Sequence, residues 1–234
     1  MSKIKIIRKI AWVLLTINGL TFSQPISSFQ IKEGLTRSIN NNDSRIIVIA
    51  GLVGAGIASK YDDSFQKDTE SNGLMPKGLA QVGDFWGPAS SLLLWGSFIG
   101  NSKKEERLQY AVGSFIANGI ITYGIKFATG RTRPDESNRR SFPSGHTSNS
   151  FLTATIANEI YGNKVGIPAY TLACITGLSR LHDNKHYASD VIFGAALGTA
   201  IGKGFGSIFR EINTPKVSIN YLKKGFRINI GWTI

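Results

Sequence analysis

Cysteine is nearly absent from this chain of 234 residues. Cys174 is the only one, so no disulfide can form within the chain, and cysteine usage says nothing about the redox compartment. It lies in the apolar run 170–175 and reads as a small buried hydrophobe. Acidic residues are also scarce, with 15 Asp and Glu against 27 Lys and Arg, a formal charge of +12. Such a balance suits phosphorylated ligands, anionic headgroups or nucleic acid. Nucleic acid is disfavoured, because the cations do not gather on one helix face and no helix-turn-helix or finger pattern occurs. Repeats and low-complexity tracts are missing. Histidine occurs three times, and all three lie between residues 126 and 190.

What is present is a series of apolar segments between polar ones. Residues 1–23 read as a secretory signal: Lys3, Lys5, Arg8 and Lys9 precede an apolar stretch reaching Phe22, followed by Ser23. The alternative is an amino-terminal anchor, although the stretch is short of the roughly 20 residues a span needs. Residues 24–44 read as a polar linker, 45–212 as one helical domain, and 213–234 as a β-hairpin extension. Within the domain, apolar segments at 46–58, 85–100, 108–129, 147–161, 165–180 and 189–209 predict helices, and residues 60–78 predict a loop. In the extension, Val217, Ile219 and Tyr221 alternate with polar residues, Lys223, Lys224 and Gly225 suit a turn, and Phe226, Ile228, Ile230, Trp232 and Ile234 alternate again. The predicted fold is therefore an all-α bundle of about six helices with a short C-terminal β-hairpin. The segments are short or impure for membrane spans and equally fit a soluble periplasmic bundle. Glycine tips the balance, with 26 residues and spacings such as Gly51, Gly54, Gly56 and Gly194, Gly198, Gly202. Each costs about 1 kcal/mol in an aqueous helix, yet small residues let helices pack closely in lipid.

Three clusters carry chemistry. Lys126 and Arg133 are seven residues apart and would share a face of a continuous helix ending near Pro134. Inward-facing cations are costly unless they meet an anion, and the arginine fork suits a tetrahedral oxyanion. Pro143-Ser144-Gly145-His146 precedes a helical run, where free N–H groups and a positive dipole end favour phosphate; Ser144 would add a hydroxyl donor. His186 and Asp190 are at i and i+4, so the carboxylate can fix one ring nitrogen and leave the other free as nucleophile or base. Arg180 stands six residues before His186. Taken singly, each cluster also has a structural reading: a solvated helix end, a core histidine, a surface pair. Arg131 reads as helping to bind the anion or, in the favoured reading, as facing headgroups, His182 as a loop histidine, and Asp183 and Lys185 as a pair or as the rim of a pocket.

Together, Lys-x6-Arg-Pro, Pro-Ser-Gly-His and Ser-Arg-x5-His-x3-Asp, in that order, resemble the tripartite signature of the type 2 phosphatidic acid phosphatase and vanadium haloperoxidase superfamily. The match is complete at each signature position and covers residues from about 80 to 206 with flanking helices. The wording around it is more similar to the lipid phosphatase branch. The resemblance implies a helical, metal-independent phosphomonoesterase or pyrophosphatase with no cofactor. It implies that His186 attacks phosphorus, Asp190 orients His186, His146 acts as general acid, and Lys126, Arg133, Arg180, Ser144 and Gly145 hold the phosphate oxygens. It further implies a phosphorylated membrane lipid as substrate and an inner-membrane location with a periplasm-facing site. A soluble periplasmic acid phosphatase, a vanadate-dependent haloperoxidase and a non-catalytic protein binding anionic lipid are the other expectations. No oligomeric state follows from the sequence.

Overall fold

The computed structural model describes residues 28–214, 216–222 and 225–231. The signal or anchor expected at 1–23 and the turn residues Lys223 and Lys224 lie outside them. Eight helices are present among the described residues: α1 Ser28–Asn40, α2 Asn42–Ala58, α3 Asp62–Asn72, α4 Lys77–Gly96, α5 Lys104–Thr129, α6 Gly145–Tyr161, α7 Asn163–His182 and α8 Ala188–Asn213. All six expected helical segments thus have counterparts, but two more helices occupy stretches read as linker and loop. In α1 the inward residues are Gly34 and Ser38, four apart, which meet Phe205 and Gly204 of α8. In α3 they are Asp62 and Thr69. Neither face has the apolar stripe by which sequence periodicity is recognised. After α8, strands β1 (Lys216–Leu222) and β2 (Gly225–Gly231) pair antiparallel, with Lys216 opposite Gly231.

Helix α6 is the centre of the bundle and packs on α4, α5, α7 and α8. Its interior is filled by Leu152, Ala154, Ile156 and Ala157 and by Thr147, Ser148, Ser150, Thr153 and Thr155, all buried. Small residues bring α8 close. A Cβ on Gly198 would stand 2.0 Å from the Ser148 carbonyl oxygen, and one on Gly202 would stand 2.7 Å from Thr155. Buried hydroxyls pair between helices: Ser148 Oγ donates to Asn118 at 2.6 Å and Tyr110 to the Gly202 carbonyl at 2.8 Å. Satisfied polar contacts and small-residue crossings are what holds helices together in lipid, where burial of apolar surface gives no preference for neighbour over tail.

Outside, the bundle is apolar. Ile46, Ile49, Leu52, Val53 and Ile57 of α2 are exposed, as are Ile116, Ile120, Tyr123 and Phe127 of α5. Soluble monomers rarely expose continuous apolar faces of this kind. Helices α5 and α8 are long and apolar enough to cross a membrane, and the pair α2–α3, bent by 71°, makes a third span if taken as one. The chain is a membrane protein. Cys174 departs from its expected place. It is exposed on α7, because the inward face of that helix is formed by Gly166, Ala169, Ala173, Thr176, Gly177 and Arg180.

Candidate active site

The site is built where three chain segments meet: the end of α5 with the loop after it, the start of α6, and the α7–α8 connection. Helix α5 stops at Thr129, because Gly130 takes the left-handed conformation (φ 53°) and turns the chain. Arg133 is therefore on a loop, and the continuous helix expected through it does not form. The loop returns it to the same cleft as Lys126. Lys126 is buried and its ammonium donates to the carbonyls of Arg140 (2.7 Å), Ser141 (3.2 Å) and Pro143 (2.5 Å). It pins residues 140–143 and with them the start of α6. Ser144 caps that helix. Its N–H donates to the Asp190 carbonyl at 3.0 Å, which joins the starts of α6 and α8.

A cleft of about 330 Å³ is lined by Lys126, Arg133, Gly145, His146 and His186, with Thr122, Asn118, Asn149, Gly87, Pro88, Phe115, Gly119 and Tyr123. Five of the eight residues expected to serve the site are in this wall. The first-turn N–H groups of α6 at Gly145 and His146 have no carbonyl four residues back within the helix, so the positive end of α6 faces the cleft. Arg133 Nε and Thr122 Oγ1 are buried and have no hydrogen-bond partner in the protein. Unpaired buried donors are uncommon, and here two of them share one wall with two histidines.

His186 is buried, just before α8. Its Nδ1 faces Asp190 Oδ2 at 3.5 Å and makes no hydrogen bond. The two do not sit on one helix face as expected. Asp190 is in the first turn of α8, where its Oδ2 accepts from the Tyr187 N–H (2.9 Å) and Ser141 Oγ (2.5 Å). Burial, and then the nearby Lys126 and Arg133 charges, lower the His186 pKa to about 4, against the opposing pull of Asp190. The imidazole is thus neutral at pH 7, the form with a free lone pair. Burial against the cleft wall and the charges of Arg133 and Lys126 also lower the pKa of His146.

Two residues expected to hold phosphate lie outside the cleft wall. Ser144 does not line the cleft: it is fully buried, and its Oγ pairs with Thr147 Oγ1 at 2.9 Å, so it caps α6. Arg180 does not line it either. Its guanidinium pairs with Asp84 of α4 and with Asp183 (3.0 Å), while its carbonyl accepts from the His186 N–H at 3.2 Å. It supports the histidine from behind. Asp183 being so engaged, Lys185 pairs with Asp135 at 2.6 Å. His182 accepts from the Leu74 N–H at 3.3 Å.

Sequence reasoning missed two groups. Arg131, read as facing headgroups, donates to Asp190 Oδ1, Ser189 Oγ and Asp62 Oδ2 at 2.7–2.8 Å. Gly87 of α4 stands against His146; a Cβ there would lie 2.7 Å from its Cδ2. The signal for Arg131 was its place between Gly130 and Arg133 inside the first cluster. Gly87 gave none.

Residues 107–213 match the family described as the PAP2 superfamily. A decaprenylphosphoryl-5-phosphoribose phosphatase of Mycobacterium tuberculosis is 31% identical over 136 residues, which cover 54% of this chain and 74% of that protein. The chain belongs to the PAP2 superfamily. A lipid A 1-phosphatase of Porphyromonas gingivalis is 41% identical over 96 residues, 40% of this chain but only 21% of that longer protein. This PAP2 chain therefore spans about a fifth of the length of that relative. The PAP2 fold is seen directly in the crystal structure of a transmembrane PAP2 type phosphatidylglycerolphosphate phosphatase from Bacillus subtilis. It superposes with a TM-score of 0.59 at 20% identity, covering 71% of this chain and 95% of that one.

Proposed function

We propose that the chain is a phosphatase that releases phosphate from a phosphomonoester or pyrophosphate of a membrane lipid through a phosphohistidine at His186. The observation that carries this is the convergence of Lys126, Arg133, His146 and His186 on one cleft within a bundle whose outer faces are apolar. Asp190 faces Nδ1, so Nε2 is the attacking nitrogen. It bonds to phosphorus as the bond to the lipid oxygen breaks, and His146 gives its proton to that oxygen. Water then attacks phosphorus as the phosphorus–nitrogen bond breaks, His146 takes a proton from that water, and phosphate leaves with His186 neutral again. Charge in such a transition state spreads over the equatorial oxygens, where fixed cations and N–H groups stabilise it. Arg133 supplies its unpaired Nε, the α6 N-terminus supplies Gly145 N–H, and Lys126 supplies charge from the wall. Asp190 keeps the imidazole in register and balances the imidazolium that forms.

Lipids of the cell envelope are the substrate class the relatives support: phosphatidic acid, phosphatidylglycerol phosphate, undecaprenyl pyrophosphate and lipid A phosphates. In this reading the site faces the periplasm. The deciding experiment is phosphate release from that panel in mixed micelles, with and without chelator. Release that survives chelation and disappears in His186→Ala is the expected result. Hydrolysis by purified His186→Ala protein would remove the nucleophile assignment, and failure on every lipid would leave an anion-binding envelope protein.

A further inference from the structure

Behind the histidine lies a buried network that the signature does not include. Asp62, in the first turn of α3, is 2% exposed. It accepts from the Ser189 N–H at 3.0 Å, from Ser189 Oγ at 2.5 Å and from Arg131 at 2.8 Å. Arg131 in turn donates to Asp190 Oδ1 at 2.8 Å, with its guanidinium carbon 4.1 Å from the centre of the Tyr187 ring. Asp190 is fully buried. Its Oδ2 accepts from Ser141 Oγ and the Tyr187 N–H and faces His186 Nδ1 at 3.5 Å, while its Oδ1 accepts from Arg131. One planar, two-handed cation thus spans two buried carboxylates from different helices, a geometry lysine cannot reproduce.

We infer that Arg131 and Asp62 are positioning residues for the phosphoryl transfer: they lock the Asp190 carboxylate in the orientation that faces His186 Nδ1 and temper its charge. The inference rests on the phosphatase reading above. Neither residue touches the cleft, so both act through Asp190. Removing Arg131 would leave a buried carboxylate with Oδ1 unpaired, held only through Oδ2 and with its charge unshared. Removing the Asp62 charge would leave Arg131 with a single anionic partner and free the start of α3. Outer-shell partners of this kind, where measured around metal-bound histidines, are typically worth about 10–100-fold in activity.

The test uses the full chain in detergent micelles with Arg131→Gln, Arg131→Lys and Asp62→Asn. On the lipid that the wild type hydrolyses, Arg131→Gln lowers kcat about 10–100-fold with KM within about twofold. Arg131→Lys falls between, and Asp62→Asn added to Arg131→Gln costs little more than Arg131→Gln alone. The second readout is the His186 imidazole titration by NMR. His186 is faced by Asp190 of α8, Lys126 of α5 and Arg133 of the loop. With Arg131 neutralised, the unshared Asp190 pulls harder and the titration moves up by about one unit. Unchanged kcat with an unmoved titration overturns the inference, as does a loss of melting temperature alone. A raised KM at unchanged kcat makes Arg131 a headgroup contact instead and also overturns it. If Arg131→Gln does not fold, Arg131→Lys and Asp62→Asn carry the same comparison. If the wild type hydrolyses no lipid, the phosphatase reading fails, and the titration still decides whether the network holds Asp190 to His186.

Discussion

In the mechanism proposed above, His186 and His146 need opposite protonation states at the start of the reaction, and their surroundings fix the pH at which both are met. The nucleophile must be neutral. Its pKa, lowered by burial to about 4, leaves it so at any pH above that value. The acid must be charged, yet its pKa is also lowered from 6.5, by burial and by Arg133 and Lys126. The sign follows: kcat/KM rises as pH climbs through about 4 and falls again before neutrality, as His146 loses its proton. The same lowering links folding to pH, since the unfolded histidine binds protons below 6.5 that the native one does not; stability from this group is present above 6.5 and lost as pH falls through about 4. A pH–rate profile checks the first claim, and an alkaline optimum would contradict it. Gly87 makes a second prediction at this scale. Gly87→Ala would press on the His146 ring, which must turn away. Displacements near 1 Å can cost about 10²-fold, so kcat is expected to fall by that order with the melting temperature almost unchanged.

The helices explain why the site was legible in the sequence before its supports were. Lys126, Arg133, His146 and His186 reach one cleft because Gly130 ends α5 and the starts of α6 and α8 are bonded through Ser144 and Asp190. Their residue types and order were readable, since each stands at a defined spacing within one of the three clusters. The roles of Ser144 and Arg180 were not, because a cap and a carboxylate pair depend on neighbours from other helices. Helices α1 and α3 escaped notice for a related reason: their inward faces are small or polar, and only contact with α7 and α8 gives those faces meaning. Glycine spacing was informative, and it yields a prediction for the α6–α8 crossing. The Cβ of Gly198→Ala would meet the Ser148 carbonyl at 2.0 Å and the Leu152 nitrogen at 2.9 Å, both backbone atoms. Overpacking costs about 1–3 kcal/mol, and a rigid backbone places this site at the upper end. Thermal unfolding in micelles should show the loss, with activity falling in step because α6 carries His146. Gly124→Ala, where a Cβ meets nothing within 4 Å, is the matched control and should not destabilise.

At the scale of the molecule, charge and greasiness are separated rather than blended. The chain carries +12 and only 18% charged residues, while α2, α4 and α5 turn isoleucine, leucine and phenylalanine outward. Phe85, Leu92 and Leu93 of α4 are exposed at 72%, 65% and 60%. Leaving even one such side chain in water rather than lipid forgoes roughly 1.5–3 kcal/mol, so a dozen of them outweigh the electrostatic attraction of a basic surface to anionic headgroups, about 1 kcal/mol per cation and screened by salt. The two forces predict different extraction behaviour. A protein held by charge leaves the membrane in high salt; one held by apolar faces stays until detergent replaces the lipid. We expect the full chain to remain with membranes through molar salt and alkaline washes and to appear in the supernatant only with detergent. Recovery in a salt wash or with soluble periplasmic contents would mean that the outward faces are covered by protein rather than by lipid.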